Sequence, residues 1–199
     1  MSLTPREYLS WSSMSLLEAS EDRWKDRYLY GKDFGTNRGQ AFGKIMAEAL
    51  EHDEMTGDPL LDLVIAQIPK FEIMDKEFRA ELKDGKETII ILCKPDTMKV
   101  DMSALKEYKT SQKRWTRRQV DDNGQITFYV TGMYLITGKI PQDIELVEIP
   151  TKALLDASIT ATGDVICHPT SRSMADILKM MARMQKAWHK IKLLTEELL

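Results

Sequence analysis

The run Cys93-Lys-Pro-Asp-Thr-Met-Lys-Val-Asp-Met-Ser-Ala-Leu-Lys-Glu-Tyr-Lys-Thr-Ser-Gln112 decides how the rest of this chain is read. Asp96 follows Pro95 just after an apolar segment, 88–92, with the composition of a strand. A return segment, 102–110, then carries Glu107 and Lys109 two residues apart. Successive side chains of a strand alternate faces, so Glu107 and Lys109 share one face and Tyr108 takes the other. If the two segments pair, two carboxylates and an ammonium meet in one cluster. Hard divalent cations take oxygen ligands, and one or two carboxylates suffice when water and phosphate oxygens complete the shell. Such an ion turns bound water into a nucleophile near neutral pH. A lysine beside it can position or deprotonate that water and offset charge in the transition state. Read from the residues alone, the segment is equally a surface hairpin with acids and lysines at a strand edge, and the spacing does not choose between the two.

Upstream of Asp96, segments 70–82 and 87–92 read as two strands joined by a turn at Asp84-Gly85. A helix capped by Ser12 or Ser13 is expected to run to about Tyr30, with Met14, Leu16, Leu17, Trp24 and Tyr28 as its apolar stripe and Gly31 as its stop. The small-residue stretch 35–43 leads into a helix at 44–53, and 58–68 reads as a short buried helix closed by Pro69.

Downstream, the stretch 110–120 holds Lys113, Arg114, Arg117 and Arg118 without an acid, and Trp115 lies among them. Cations beside a hydrolytic site neutralise phosphates, and an indole stacks on an exposed base, so this run is the expected nucleic-acid contact. Asp121-Asp122-Asn123 caps a helix that Gly138 stops, and Gln125 and Tyr129, four apart, share one face of it. Segment 144–149 alternates apolar residues with Glu145 and Glu148 and ends at Pro150; a second hairpin is expected at 158–167 around Thr162-Gly163-Asp164. His168 follows Cys167, but two such groups make no metal site. From about 173 the chain reads as one amphipathic helix with Met174, Ile177, Met181, Met184, Trp188, Ile191 and Leu198 on its apolar side. Methionine-rich stripes adapt to irregular surfaces, and this one has two candidates, the chain's own domain or a partner subunit.

The 199 residues fit one domain, 1–199, with 172–199 as its C-terminal helix. A formal charge of −3, with 30% charged and 43% hydrophobic residues, is that of an ordinary globular protein, so any nucleic-acid contact must come from a local patch. Two cysteines make neither a disulfide framework nor a zinc site, and a reduced, intracellular setting is expected. No apolar run reaches the length of a membrane span, and no secretory signal is visible.

Pro95-Asp96 followed by Glu107-Tyr108-Lys109 resembles the core motif of the PD-(D/E)xK phosphodiesterase superfamily. Gln125-Ile-Thr-Phe-Tyr129 is similar to the Q-x-x-x-Y motif of its RecB-like, phage-type exonuclease branch, and Leu9-Ser-Trp-Ser-Ser-Met-Ser-Leu-Leu-Glu18 resembles the serine-rich helix start of many such domains. The resemblance implies an α/β fold with a restriction-endonuclease-like core, a central mixed sheet flanked by helices. It implies a magnesium- or manganese-dependent DNA nuclease, an exonuclease of recombination, repair or phage DNA processing, in the cytoplasm of a bacterium or phage-infected cell. Asp96, Glu107 and the Tyr108 carbonyl would hold metal, Lys109 would orient and activate water, and Gln125 and Tyr129 would support the strand being cut. Relatives often place a metal-reaching His or Glu four residues after a helix glycine; counting from Gly43 lands on Ala47, a departure. Glu48, or Glu51 on roughly the same face, is expected to replace it, with Glu48 favoured. The four-cysteine iron-sulfur cluster of some relatives is beyond two cysteines. The alternatives are a non-catalytic DNA-binding or assembly protein that kept the fold, to which the Ala47 departure points, and a structure-specific endonuclease. Partners implied are DNA and a second copy or recombination protein on the C-terminal helix.

Overall fold

The computed structural model describes residues 7–52, 54–154 and 158–196. Strand β1 (Leu9–Ser10) leads into α1 (Trp11–Ala19), capped by Ser10, whose Oγ accepts the Ser13 N–H. Where one long helix is expected, the chain breaks and restarts as α2 (Glu21–Tyr28). Ser20 makes the break. Its extended backbone donates N–H to the Leu16 carbonyl, closing α1, while its hydroxyl accepts the Arg23 N–H, opening α2. A serine competes for its own backbone in this way, and here the competition outweighs the continuing apolar pattern. The bend folds Trp24 back so that its Nε1 donates to buried Ser13 at 2.9 Å.

Helix α3 (Arg38–His52) starts six residues ahead of the expected position and takes Gly39 and Gly43 inside it. Asp58 caps α4 (Pro59–Ile65), with proline in the first turn where its missing N–H costs nothing. The expected strand 70–82 is divided into β2 (Ile73–Met74) and β3 (Phe78–Asp84), with Asp75 at φ 44 between them. Asp84 pairs with Glu87 of β4 (Glu87–Cys93), so the hairpin turn is Gly85-Lys86, one residue later than expected, with Gly85 at φ 60. Strands β5 (Thr97–Met98) and β6 (Ala104–Ser111) pair antiparallel. Between β4 and β5, Lys94-Pro95-Asp96 carries the chain from one sheet, β1-β4-β3, to another that starts β2-β5-β6. Asp96 thus stands at the crossover.

The short helix α5 (Arg117–Asp121), opened by a Thr116–Gln119 capping box, and α6 (Gly124–Thr137), capped by Asn123 and ended by Gly138 at φ 68, connect β6 to β7 (Asp143–Ala153). The two strands pair parallel over eight residues, from Ala104↔Asp143 to Ser111↔Pro150. A helical crossover between parallel strands is the βα signature of an α/β fold. Strand β7 does not end at Pro150. It continues to Ala153, turns, and pairs antiparallel with β8 (Ile159–Ala161); β9 (Ile166–Thr170) then pairs with β7 further back along its length. The second hairpin is therefore β7 with β8, and Thr162-Gly163-Asp164 is a break between β8 and β9, with Gly163 at φ 71. Residues 155–157 of the hairpin loop lie outside the described residues.

Helix α7 (Met174–Glu196) closes the molecule. It buries Ile177, Met180, Met184, Ala187, Ile191 and Leu194 in the main core and packs on α1 and α6, fastened to the first two helices by Arg183–Glu18 and Lys190–Glu21 ion pairs. Of the expected stripe, Met174 is exposed, Met181 and Trp188 are half-buried, and Leu198 lies outside the described residues. The alternation of β7 divides the interior. Ile144 and Leu146 enter the main core with α6, whereas Val147 and Ile149 face a second core built on Phe42, Met46 and Leu50 of α3 and Leu61 and Val64 of α4.

Candidate active site

The site forms where β6 passes Asp96. The Asp96 Oδ2 accepts the backbone N–H of Tyr108 at 2.6 Å, which fixes the crossover against the strand. On β6, Glu107 and Lys109 share one face as their spacing requires, and Lys109 Nζ donates to Glu107 Oε1 at 2.6 Å. Lys109 also donates to Gln125 Oε1 at 2.9 Å, and Gln125 Nε2 donates to the Tyr129 hydroxyl at 3.1 Å. Gln125 and Tyr129 reach the strand from one face of α6. An unbroken chain of hydrogen bonds therefore runs from Tyr129 through Gln125 and Lys109 to Glu107, with Asp96 beside it.

Glu107 is 1% exposed, and its Oε2 has no hydrogen-bond partner. Burial pushes the Asp96 carboxyl up to about 8; the Glu107 charge adds to this, against the pull of the Lys109 ammonium and the Tyr108 N–H. Burial alone would lower Lys109, but Glu107 and Asp96 outweigh it and hold the ammonium above its usual range. Burial raises the Tyr129 phenol as well, so it stays a neutral donor and acceptor. Tyr108 points the other way: its hydroxyl donates to the Pro69 carbonyl at 2.9 Å and its ring packs in the second core, leaving only its backbone at the site.

A cavity of about 400 Å³ opens beside Asp96, Tyr108, Lys109 and Thr110, and α3 forms its opposite wall with Gly43, Met46, Ala47 and Leu50. Glu48 is not in that wall. It is exposed and pairs with Lys44 one turn back, so the structure does not bring the favoured substitute ligand to Asp96 and Glu107. Adjacent helix positions are rotated by about 100°, and the rotation that turns Ala47 to the cavity turns Glu48 away. Glu51 is exposed too, with its charge acting on Lys94. Among the described residues no three His, Cys, Asp or Glu side chains gather as an ion-binding group. Buried Glu107 and half-buried Asp96 still fit a hard cation: the unpartnered Glu107 Oε2 is an acceptor awaiting a donor or an ion, and such ions take one or two carboxylates together with water and phosphate.

The basic run divides. Lys113 and Arg114 are exposed and line a second cavity, of about 340 Å³, next along β6. Arg117 and Arg118 pair with Asp121 and Asp122 of their own helix, and Arg117 also donates to the Pro169 carbonyl. Trp115 is half-buried against the main core. Its backbone N–H donates to Glu148, which the sequence reading places with Glu145 among the apolar residues of strand 144–149. Glu148 is fully buried, with Oε2 taking the Trp115 N–H at 3.3 Å and the His168 Nε2 at 2.8 Å, and with Oε1 unpartnered. The signal lies in the numbering: Glu145 and Glu148 are an odd step apart, so one of them has to face inward.

No protein-family model and no curated protein matches the chain. Solved structures do. One, described provisionally as an exonuclease from Eubacterium rectale, has a TM-score of 0.59 at 11% identity over 97% of this chain and 83% of that one. An alkaline exonuclease from Laribacter hongkongensis has a TM-score of 0.50 at 13% identity over 98% of this chain and 92% of the other, and its complex with dAMP scores the same. The mixed sheet flanked by helices, with its C-terminal helix, is the fold of these structures.

Proposed function

We propose that this chain is a divalent-metal-dependent deoxyribonuclease of the PD-(D/E)xK superfamily, acting as an exonuclease in recombination, repair or phage DNA processing. One observation carries the reading: the hydrogen-bonded chain Tyr129–Gln125–Lys109–Glu107 runs beside Asp96, and Lys109 and Asp96 line a cavity. Five residues spread over 34 positions converge there in the order and pairing that the resemblance implies, and likeness to exonuclease structures agrees with it.

Asp96, Glu107 and the carbonyl of Tyr108 would hold Mg2+ or Mn2+. When bound, the ion supplies charge neutralisation at the phosphoryl group and a lowered pKa for a bound water. Lys109 orients and activates the attacking water and offsets charge on the phosphoryl oxygens. Gln125 fixes the Lys109 ammonium, and Tyr129 fixes the Gln125 amide. In hydrolysis the water oxygen forms a bond to phosphorus, the bond to the leaving oxygen breaks, the attacking water gives a proton to solvent, and the leaving oxygen takes one from solvent to become a hydroxyl.

The test is digestion of end-labelled linear DNA beside a closed circular single strand, with magnesium or manganese, by the wild type and Lys109→Ala. Loss of the linear substrate alone, by the wild type alone, is expected. Cutting of the circle would replace the exonuclease with a structure-specific endonuclease. Failure of both proteins to cut with either metal would replace the enzyme with a DNA-binding protein that kept the fold, a reading favoured by one specific feature, the methyl group of Ala47 in the cavity wall.

A further inference from the structure

Strands β2 and β3 lie in different sheets, as do β5 and β4, yet the two pairings keep one register. Met74 faces Thr97 and Phe78 faces Cys93, so residues 75–77 span the gap on one side and residues 94–96 span it on the other. The spans are equal, and no residue is inserted as it would be in a bulge. Segments 73–84 and 87–98 therefore form one long hairpin that bends in its middle, with Asp75 opposite Asp96 on the bend. Pro95 supplies one cause, since it has no N–H to give to a ladder. Asp75 supplies the other. At φ 44 it takes the left-handed region, which aspartate enters more readily than most residues and β-branched side chains avoid.

From that conformation Asp75 grips the crossover twice. Its N–H donates to the Asp96 carbonyl at 3.0 Å, and its carboxylate pairs with Lys94 at 2.6 Å. Lys94 and Asp96 flank Pro95, so the proline is held from both sides, and the Asp96 carboxylate is presented to the Tyr108 N–H on β6. A non-glycine residue persists in the left-handed region where its surroundings over-determine it, and such residues gather at functional sites. We infer that Asp75 is a positioning residue for the reaction: its left-handed turn, clamped to Lys94 and Asp96, sets where the Asp96 carboxylate meets β6. This rests on the nuclease reading of the site. Asp75 is not among the residues that line the cavity, and it acts through Asp96.

The experiment compares the wild type with Asp75→Val, Asp75→Asn and Gly85→Val. Valine is ill-suited to φ 44, whereas asparagine suits it and keeps an oxygen for Lys94; Gly85→Val places the same kind of strain, at φ 60, in the turn at the far end of the same hairpin. Manganese affinity without DNA is read by electron paramagnetic resonance, and single-turnover cleavage is followed over a range of DNA concentrations. For Asp75→Val, manganese affinity and the saturating rate are expected to fall by about tenfold or more, with half-saturation by DNA within about twofold of wild type. Asp75→Asn is expected to recover most of the affinity, and Gly85→Val to keep all of it while melting earlier. Wild-type affinity in Asp75→Val overturns the inference, as does an equal loss in Gly85→Val or in Asp75→Asn. If Asp75→Val does not melt as a folded protein, Asp75→Ala, with a smaller penalty in the left-handed region, takes its place under the same criteria. If the wild type binds no manganese and cuts nothing, the nuclease reading fails, and Asp75 is judged on the Tyr108 amide, whose bond to Asp96 needs no metal. Hydrogen exchange there, followed by nuclear magnetic resonance, is expected to be about tenfold faster in Asp75→Val alone; equal exchange in all four proteins overturns the inference.

Discussion

At Lys109 the arrangement makes its sharpest demand. A half-buried ammonium paired with Glu107 beside Asp96 is worth keeping only if its charge is used, so Lys109→Ala is expected to lower the cleavage rate by about 10²–10⁴-fold, with the fold intact by circular dichroism. Gln125→Ala leaves the ammonium in place but loosens it, and a smaller loss is expected. Asp96 makes a second, pH-dependent demand. Its carboxyl lies at about 8 in the fold and near 3.8 when freely solvated, so between these values the folded chain retains a proton that the unfolded chain releases. Stability tied to this group is complete below about pH 4 and is lost as pH rises through about 8. Urea melts of metal-free protein are expected to show that decline, and Asp96→Asn to flatten it. Because an ion takes the ionised carboxylate, metal binding releases a proton below about pH 8 and tightens as pH rises. At the facing wall, Ala47→Glu sets an acid where a methyl group now stands; manganese affinity, read by electron paramagnetic resonance, is expected to rise by on the order of tenfold or more.

At the scale of the element, helix α6 is the part that holds the site together, and its bounds are legible in the sequence. Asn123 caps it, Gly138 stops it, and the four-residue spacing of Gln125 and Tyr129 survives intact as geometry. Its closeness to the sheet is not legible. A Cβ at Gly132 would lie 2.4 Å from the Cys93 Sγ, a fully buried atom on β4. Gly132→Ala gains about 1 kcal/mol of helix propensity but forces that sulfur aside, and overpacking at about 1–3 kcal/mol is expected to win. Chemical denaturation should show the loss, and Cys93→Ala in the same chain should recover part of it. Other elements escape a sequence reading for local reasons. Ser20 spends its side chain and backbone on two helix ends, which the apolar stripe across it hides. Counting along α3 lands on Ala47, which does meet the cavity; the step to Glu48 as a substitute fails because packing through Phe42, Met46 and Leu50 fixes the helix's rotation. Counting cations fails at α5 as well, because the acids that neutralise Arg117 and Arg118 lie one turn on, at Asp121 and Asp122.

Across the whole molecule, charge and topology set what a strand of DNA would meet. With a net charge of −3, attraction to phosphate has to be local, and only part of the basic run is uncommitted. Removing Lys113 and Arg114 together is expected to lower the slope of log affinity against log salt by about 1.4 for single-stranded DNA, while removing Arg117 and Arg118 changes it little; anisotropy titrations from low to moderate salt would show both. The order of features along the chain is readable, since the carboxylates, lysine, glutamine and tyrosine lie on elements that succeed one another. The interior is less so, because Glu148 is committed by the pairing of β7 with β9, a contact between residues 20 apart that no local pattern announces. The methyl group at Ala47 has a last consequence, for the gene and not for the fold. Every alanine codon becomes an aspartate or glutamate codon by one change at its second base, so a carboxylate in that wall is a single mutation away. Populations carrying this chain would sample acidic versions of the cavity continually, and the persistence of alanine would then measure selection against them.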